Sequence, residues 1–329
     1  MTEPLRVAVV GPGGWGRQHT RIFTERADTE LCAVVGRDPD RTAAEAERVG
    51  AAPYTDIAAM LDRERPDLVT ASLPNEGHFE PTRELLRSGI PLLVEKPLVF
   101  DLDQADTLLA EAKGFFAINF NHRYAEPVIR AKKAITAGDL GDPVFATWRF
   151  GGEPNSGISP HKNIIETQCH GFDMLEHLMG PIASVAAKMT DKTYGAFSTV
   201  AIALEFSSGA VGTLLGSYDS SYAYPDTHRV EVNGTAGRLL IQDTVRSFSL
   251  SRAGDENTIT WRAGYFADEA RSFHRTFDRY VEDMLAALRR GDPPPVPASA
   301  GRRALQLAWA CIDSFTTGRS IDTPQPPPR

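Results

Sequence analysis

Residues 6–10, Arg-Val-Ala-Val-Val, run without a break into Gly11-Pro12-Gly13-Gly14-Trp15-Gly16, and a helix-forming segment follows through Thr24. No other junction constrains the fold as tightly. The β-branched run has the uninterrupted apolar character of a parallel strand buried on both faces. Gly11, Gly13 and Gly16 complete G-x-G-x-x-G between strand and helix. In that setting the first glycine permits the tight turn and the second lets a pyrophosphate approach the backbone. The third allows close helix–strand packing, and the helix N-terminus favours the negative charge. The junction predicts a dinucleotide-binding domain, with Gly14 and Trp15 inside the cofactor turn and Trp15 packing over the cofactor edge.

The end of the second strand, 31–35, bears on which dinucleotide binds. NAD sites usually place an acidic residue there for the ribose hydroxyls. Here the strand runs into Gly36-Arg37-Asp38. A glycine leaves room for a 2′-phosphate, and Arg37 can pair with it bidentately. The turn leans toward NADP. NAD stays open, because Gly36-Arg37-Asp38-Pro39 also reads as a surface turn from which Asp38 reaches the ribose.

Strand and helix then alternate: helix 43–49, strand 67–73, helix 81–89, strand 91–95, helix 102–113 and strand 115–119. That alternation predicts parallel crossovers with ligands at the C-terminal strand ends. Two of these ends carry chemistry: Pro74-Asn75-Glu76-Gly77-His78 and Glu95-Lys96-Pro97. The second half reads differently, as strands at 144–150, 182–189, 199–206, 210–217, 228–232, 238–242 and 246–251. Ser207-Ser208-Gly209 is a hairpin connection, and helices follow at about 267–290 and 299–317. In 199–206, Val200, Ile202, Leu204 and Phe206 share one face. Thr199, Ala201, Ala203 and Glu205 share the other, a small-residue face suited to cover by a second subunit.

A chain of 329 residues predicts two domains, placed here at 1–122 and 123–329. A net charge of −8 argues against nucleic-acid and anionic-membrane partners. Cys32, Cys169 and Cys311 have no paired spacing and fit reduced thiols. The N-terminus lacks a secretory pattern, and no stretch approaches the ~20 apolar residues of a membrane span. The expectation is a cytoplasmic protein.

Taken together, the motifs resemble the Gfo/Idh/MocA oxidoreductases over essentially the whole chain. The resemblance rests on the glycine turn at 11–16, P-N-x-x-H at 74–78, E-K-P at 95–97 and N-x-R at 121–123. It continues through E-x-x-x-H-x-x-D at 166–173, SSGAVGTL near 207–214 and VNGTAGRLLI at 232–241. It implies a Rossmann domain followed by an α/β domain with a large, mostly antiparallel open sheet. It also implies a homodimer or homotetramer formed through that sheet.

Oxidising a secondary alcohol needs a nicotinamide beside the carbon, a base for the hydroxyl proton and positive charge near the developing alkoxide. By resemblance, Lys96 faces the nicotinamide and hydrogen-bonds the substrate oxygen, and Glu95 and Lys96 line the cofactor; a surface lysine paired with Glu95 is the other reading. A helix predicted over 166–180 places Glu166, His170, Asp173 and His177 in one stripe. By resemblance His170 is the general acid/base, Glu166 orients substrate or Lys96, and Asp173 touches substrate or buttresses His170. The stripe also has the residue types for zinc, but the resemblance accounts for it without a metal, and His177 is read as capping or packing.

Pro74, Asn75 and His78 are expected to line the cofactor, or alternatively to shape a turn. Asn121 and Arg123 are expected to contact nicotinamide or substrate, with a plain salt bridge as the other reading of Arg123. Arg149, His161, Lys162 and Tyr222 are expected near the substrate, Arg149 as a binding residue, with a plain surface position as the other reading of each. The resulting expectation is an NAD(P)-dependent enzyme interconverting a secondary hydroxyl and a ketone on a sugar, cyclitol or related polyol. The alternatives are a glycosidase that works by transient oxidation with tightly held NAD, and a non-catalytic dinucleotide or sugar sensor.

Overall fold

A computed structural model describes residues 3–74, 77–153 and 160–324. By contacts the chain divides into two compact units. One comprises Met1–Asn119 with Phe277–Arg302, and the other Phe120–Thr276 with Arg303–Arg329.

The first unit carries strands β1 (Leu5–Val10), β2 (Thr29–Val35), β3 (Ala52–Tyr54), β4 (Leu68–Ala71), β5 (Leu92–Val94) and β6 (Phe116–Ile118). Helices α1 (Gly14–Glu25), α2 (Pro39–Val49), α3 (Ile57–Glu64), α4 (Phe79–Arg87) and α5 (Leu102–Glu111) connect them. Among the described residues the sheet has six strands in the order β3-β2-β1-β4-β5-β6, all parallel. The order reverses direction between β1 and β4, which opens a crevice at the C-terminal strand ends. Every residue of β4, β5 and β6 is buried, as expected for strands covered on both faces.

Three helices start on aspartate caps. Asp38 accepts from Arg41 N, Asp56 from Ala59 N and Asp101 from Gln104 N. Each bond satisfies a helix N–H that would otherwise have no partner, an effect worth about 1 kcal/mol.

The return of residues 277–302 differs from a single division at 122/123, and edge strand β6 explains it. Ile118 N donates to Val296 O at 3.1 Å, and Tyr280 Oη donates to Ile118 O at 2.7 Å. The returning chain thus satisfies main-chain groups that an open sheet edge would expose.

The second unit carries β7 (Pro143–Gly151), β8 (Ile182–Thr190), β9 (Thr199–Phe206), β10 (Val211–Ser217) and β11 (His228–Gly234). It adds β12 (Gly237–Gln242), β13 (Ser247–Arg252), β14 (Thr258–Arg262) and β15 (Ile321–Asp322). The described strands form a nine-stranded sheet, ordered β14-β13-β12-β11-β7-β10-β9-β8-β15. Only the β10–β7 pairing is parallel. Helices α6 (Glu126–Thr136), α7 (Cys169–Met179) and α8 (Asp268–Arg271) belong here. Two further helices, α9 (Arg275–Arg290) and α10 (Ala298–Thr317), run through the points where the chain changes unit.

In β9, Val200, Ile202, Leu204 and Phe206 are buried while Ala201, Ala203 and Glu205 are exposed, as alternation requires. Burying each of the four contributes roughly 1.5–3 kcal/mol. Helix α7 lies against β7 because Gly171 has no side chain. A Cβ there would stand 2.6 Å from Trp148 Nε1 and 2.8 Å from Leu214 Cδ1.

Two expected helices are interrupted. The one placed at 267–290 breaks into α8 and α9, and Phe273 in the break packs edge-on to His122. The one placed at 166–180 is a π-helical turn, Asn163–Thr167, followed by α7. Among the described residues, no helix is long and apolar enough to cross a membrane.

Candidate active site

In the first unit the glycine turn divides its glycines between two jobs. Gly11 has φ +94°, and a Cβ there would stand 2.1 Å from Ser72 O. At Gly16 a Cβ would lie 1.8 Å from Gly11 O. These two close the turn onto the protein. A Cβ at Gly13 or Gly14 meets nothing within 4 Å, so the main chain there borders open space.

Helix α1 begins at Gly14 without a side-chain cap and without an acidic residue in its first turn. Its first N–H groups therefore point at that space, a donor set that fits a dinucleotide pyrophosphate. A cavity of about 280 Å³ adjoins it, lined by Gly11, Gly13, Gly36, Arg37, Arg41 and Pro74 among others. Asp38 also lines the cavity, although its carboxylate is engaged as the α2 cap.

Trp15 stacks on Phe277 with ring centroids 5.2 Å apart. His78 is buried in front of α4, and desolvation lowers its pKa. Asn75 lies outside the described residues.

Glu95 and Lys96 follow β5, at the same edge of the parallel sheet as the glycine turn that follows β1. Glu95 Oε1 accepts from Asn119 Nδ2 at 2.6 Å and bonds His19 Nε2 at 2.9 Å. Neither His19 nor Asn119 is singled out by the sequence motifs. For His19 the signal was present, since Ile22 and Phe23, three and four residues on, are the apolar face of α1.

In the second unit the structure gathers rings around His170. Its imidazole stacks on His122 at 4.0 Å with an interplanar angle of 5°, and Phe120 meets it edge-on at 5.8 Å. Phe150, Phe273 and His228 close in on His122 at 5.8, 5.3 and 5.8 Å. His122 is the middle residue of Asn121-His122-Arg123, and no sequence motif singles it out. His228 bonds Thr244 Oγ1 through Nδ1, and burial pushes its pKa down to about 3, so it is neutral.

The other candidates are divided by their partners. Asp173 and Arg123 form a buried bidentate pair, with Nε to Oδ2 at 2.8 Å and a second bond from Nη2 to Oδ1. Asn121 Nδ2 donates to Thr276 Oγ1 at 2.7 Å.

Glu166 departs from the expected stripe. The π-helical turn inserts an extra residue per turn ahead of α7, breaking the four-residue spacing to His170. Gln168 pins that turn. Its N–H donates to Asn163 O, its Oε1 accepts from Trp148 Nε1 at 3.0 Å, and its Nε2 donates to Asn163 Oδ1 at 3.0 Å. Glu166 pairs with Lys162 at 3.6 Å. His161 stacks on Phe197 and titrates low through burial. The carbonyl of His177 accepts from Lys132 Nζ.

Arg149 does not join the His170 cluster. Trp148 and Phe150, its neighbours on β7, pack with the cluster rings, so alternation turns Arg149 to the other face of the sheet. There it pairs with Asp226 at 3.1 Å. Tyr222 packs near Phe150, with centroids 6.2 Å apart. Among the described residues, no three His, Cys, Asp or Glu side chains are arranged to hold a metal ion.

Residues 5–115 match the family described as "Oxidoreductase family, NAD-binding Rossmann fold", and residues 132–323 match its "C-terminal alpha/beta domain". The chain belongs to the Gfo/Idh/MocA oxidoreductases. Its two matched segments fall on the two sheets described above.

This Gfo/Idh/MocA chain is 27% identical to inositol 2-dehydrogenase of Rubrobacter xylanophilus, over 99% of the chain and 96% of that protein. It is 25% identical to D-xylose 1-dehydrogenase (NADP(+)) 2 of Haloferax volcanii, over 97% of the chain and 99% of that protein. Levoglucosan dehydrogenase, solved in complex with NADH and L-sorbose, superposes with a TM-score of 0.88. That match covers 98% of this chain and 100% of the other; at 19% identity it speaks to the fold alone. The protein is an NAD(P)-dependent oxidoreductase of the dehydrogenase type.

Proposed function

We propose that this enzyme interconverts a secondary hydroxyl and a ketone on a sugar, cyclitol or related polyol, using NADP in preference to NAD. The supporting observation is the placement of Lys96 at the C-terminal edge of the parallel sheet, the edge that also carries the glycine turn. Inositol and D-xylose, the substrates in the relatives' names, are both polyhydroxylated rings or their open-chain forms.

A bound dinucleotide supplies the electron-pair acceptor. The chain's own residues handle the oxygen and its proton. Lys96 donates a hydrogen bond to the substrate oxygen and stabilises its developing negative charge. His170 accepts the hydroxyl proton in oxidation and returns it in reduction, a task suited to an imidazole near neutral pH. Asp173 and Arg123 tie helix α7 to the 3₁₀ turn Asn121–Tyr124, the two elements that carry the stacked rings. Because Lys96 and His170 are both present, a non-catalytic sensor is not favoured.

For the cofactor preference, Arg37 and Arg41 supply positive charge to the cavity at the end of β2, where Gly36 stands in place of an acid. We further propose a cytoplasmic homodimer or homotetramer, with the exposed face of the nine-stranded sheet covered by another copy.

The test is titration with NADPH and NADH, followed by nicotinamide fluorescence, on wild type and Arg37→Ala. NADPH is expected to bind about tenfold more tightly, with Arg37→Ala closing the gap. Equal or NADH-favoured binding refutes the NADP preference. Turnover is then measured with myo-inositol, D-xylose and D-glucose, and absence of turnover on any polyol with either cofactor refutes the substrate class.

A further inference from the structure

A buried polar chain runs under the Glu95-Lys96 strand end, and the mechanism above does not use it. His19 on α1 is fully buried, as is Thr70 on β4. Asn119 is 1% exposed, and the Glu95 side chain 9%. His19 Nδ1 lies 2.9 Å from Thr70 Oγ1, and its Nε2 lies 2.9 Å from Glu95 Oε1. Asn119 Nδ2 donates to the same oxygen at 2.6 Å. The other oxygen, Oε2, accepts from the main-chain N–H of Lys96 at 3.3 Å.

The carboxylate is the acceptor in this chain, so Nε2 carries the imidazole proton and Nδ1 accepts from the Thr70 hydroxyl. Every polar atom of the imidazole is thereby used, and no side chain in the chain can rotate without leaving a buried donor unmatched. Phe277 closes a further side, edge-on to His19 at 6.3 Å.

We propose that His19 is a positioning residue for Lys96, acting through the Glu95 carboxylate. Its place on α1 gives the arrangement a purpose. The helix whose N-terminus borders the glycine turn is bonded to the strand end that carries the lysine. The dinucleotide-binding end of the unit and Lys96 therefore keep a fixed register. This inference rests on the reading of Lys96 as the contact to the substrate oxygen.

The test uses the full-length chain as wild type, His19→Leu, His19→Gln and Thr70→Val. The first readout needs no substrate. Acetylation of Lys96 by a succinimidyl acetate is followed by peptide mass spectrometry, with the exposed Lys133 as internal reference. His19→Leu is expected to change the Lys96/Lys133 ratio by about fivefold or more, while His19→Gln, which keeps an N–H donor, stays near wild type. In turnover, His19→Leu is expected to lower kcat by about 10- to 100-fold while KM for the polyol and Kd for NADPH hold.

An unchanged labelling ratio in a cooperatively folded His19→Leu overturns the proposal. If that variant does not fold, Thr70→Val decides, because it removes only the hydroxyl that orients the imidazole. An unchanged ratio and kcat in Thr70→Val then overturn the proposal. Lys96→Met separates the two ideas. Full turnover in that variant sinks the role of Lys96, whereas lost turnover alongside unaffected His19 variants sinks only the role of His19.

Discussion

The dinucleotide turn of the first unit is made almost wholly of main chain. Gly11 and Gly16 press against carbonyl groups, Gly13 and Gly14 border open space, and an uncapped helix end supplies donors. The cluster around His170 in the second unit is the reverse case. Six rings enclose one another there, and the main chain contributes only their spacing. A site of the first kind is set by where side chains are missing. One of the second kind is set by which way they point.

The difference predicts opposite sensitivities. The largest expected effect is His170→Ala, with kcat down about a thousandfold and NADPH affinity unchanged. A loss under about tenfold would remove His170 from the proton transfer. Next come two glycines of the same turn. Gly16→Ala is expected to cost about 2–3 kcal/mol in urea unfolding, because its Cβ meets a carbonyl oxygen that cannot move aside. Gly13→Ala should leave stability unchanged and instead weaken NADPH binding about tenfold. Equal stability losses in the two variants would break the division of labour described here.

The smallest effect is a pH dependence in the second unit. The His228 pKa falls from 6.5 unfolded to about 3 folded because the imidazole is desolvated. As pH drops below 6.5 the unfolded chain takes up a proton that the folded chain refuses, so stability decreases toward pH 3. Between pH 6.5 and 5.5 the expected loss is about 1 kcal/mol by denaturant unfolding. Proton NMR should find the His228 ring neutral throughout, and titration near 6.5 would overturn the assignment.

How much of this was legible follows the same division. The glycine turn, the parallel strands and the alternation of β9 are patterns of spacing, and spacing is what a sequence displays. Short elements such as β3 and α3 were not read, although Asp56, three residues before Ala59, marks the start of α3. Helix α6 was likewise passed over, despite Pro127 in its first turn. The π-helical turn at Asn163–Thr167 leaves no periodic trace, because Gln168 and Trp148, far apart in sequence, hold it in place. Arg149 is a different case. The parity of Trp148 and Phe150 on β7 already separated it from the cluster, but only once those rings were known to face His170.

Gly36 bears on how cofactor choice could change over descent. A Cβ at this position would stand 2.5 Å from Thr42 Oγ1 and 2.8 Å from Pro12 Cδ. An aspartate placed here to grip ribose hydroxyls would collide with the dinucleotide turn and with the first turn of α2 together. A lineage drifting toward NAD would have to relax Pro12 or Thr42 before the acid could be accepted. On the NADP preference proposed above, the order of those steps, more than the chemistry of the phosphate, would hold the choice where it is.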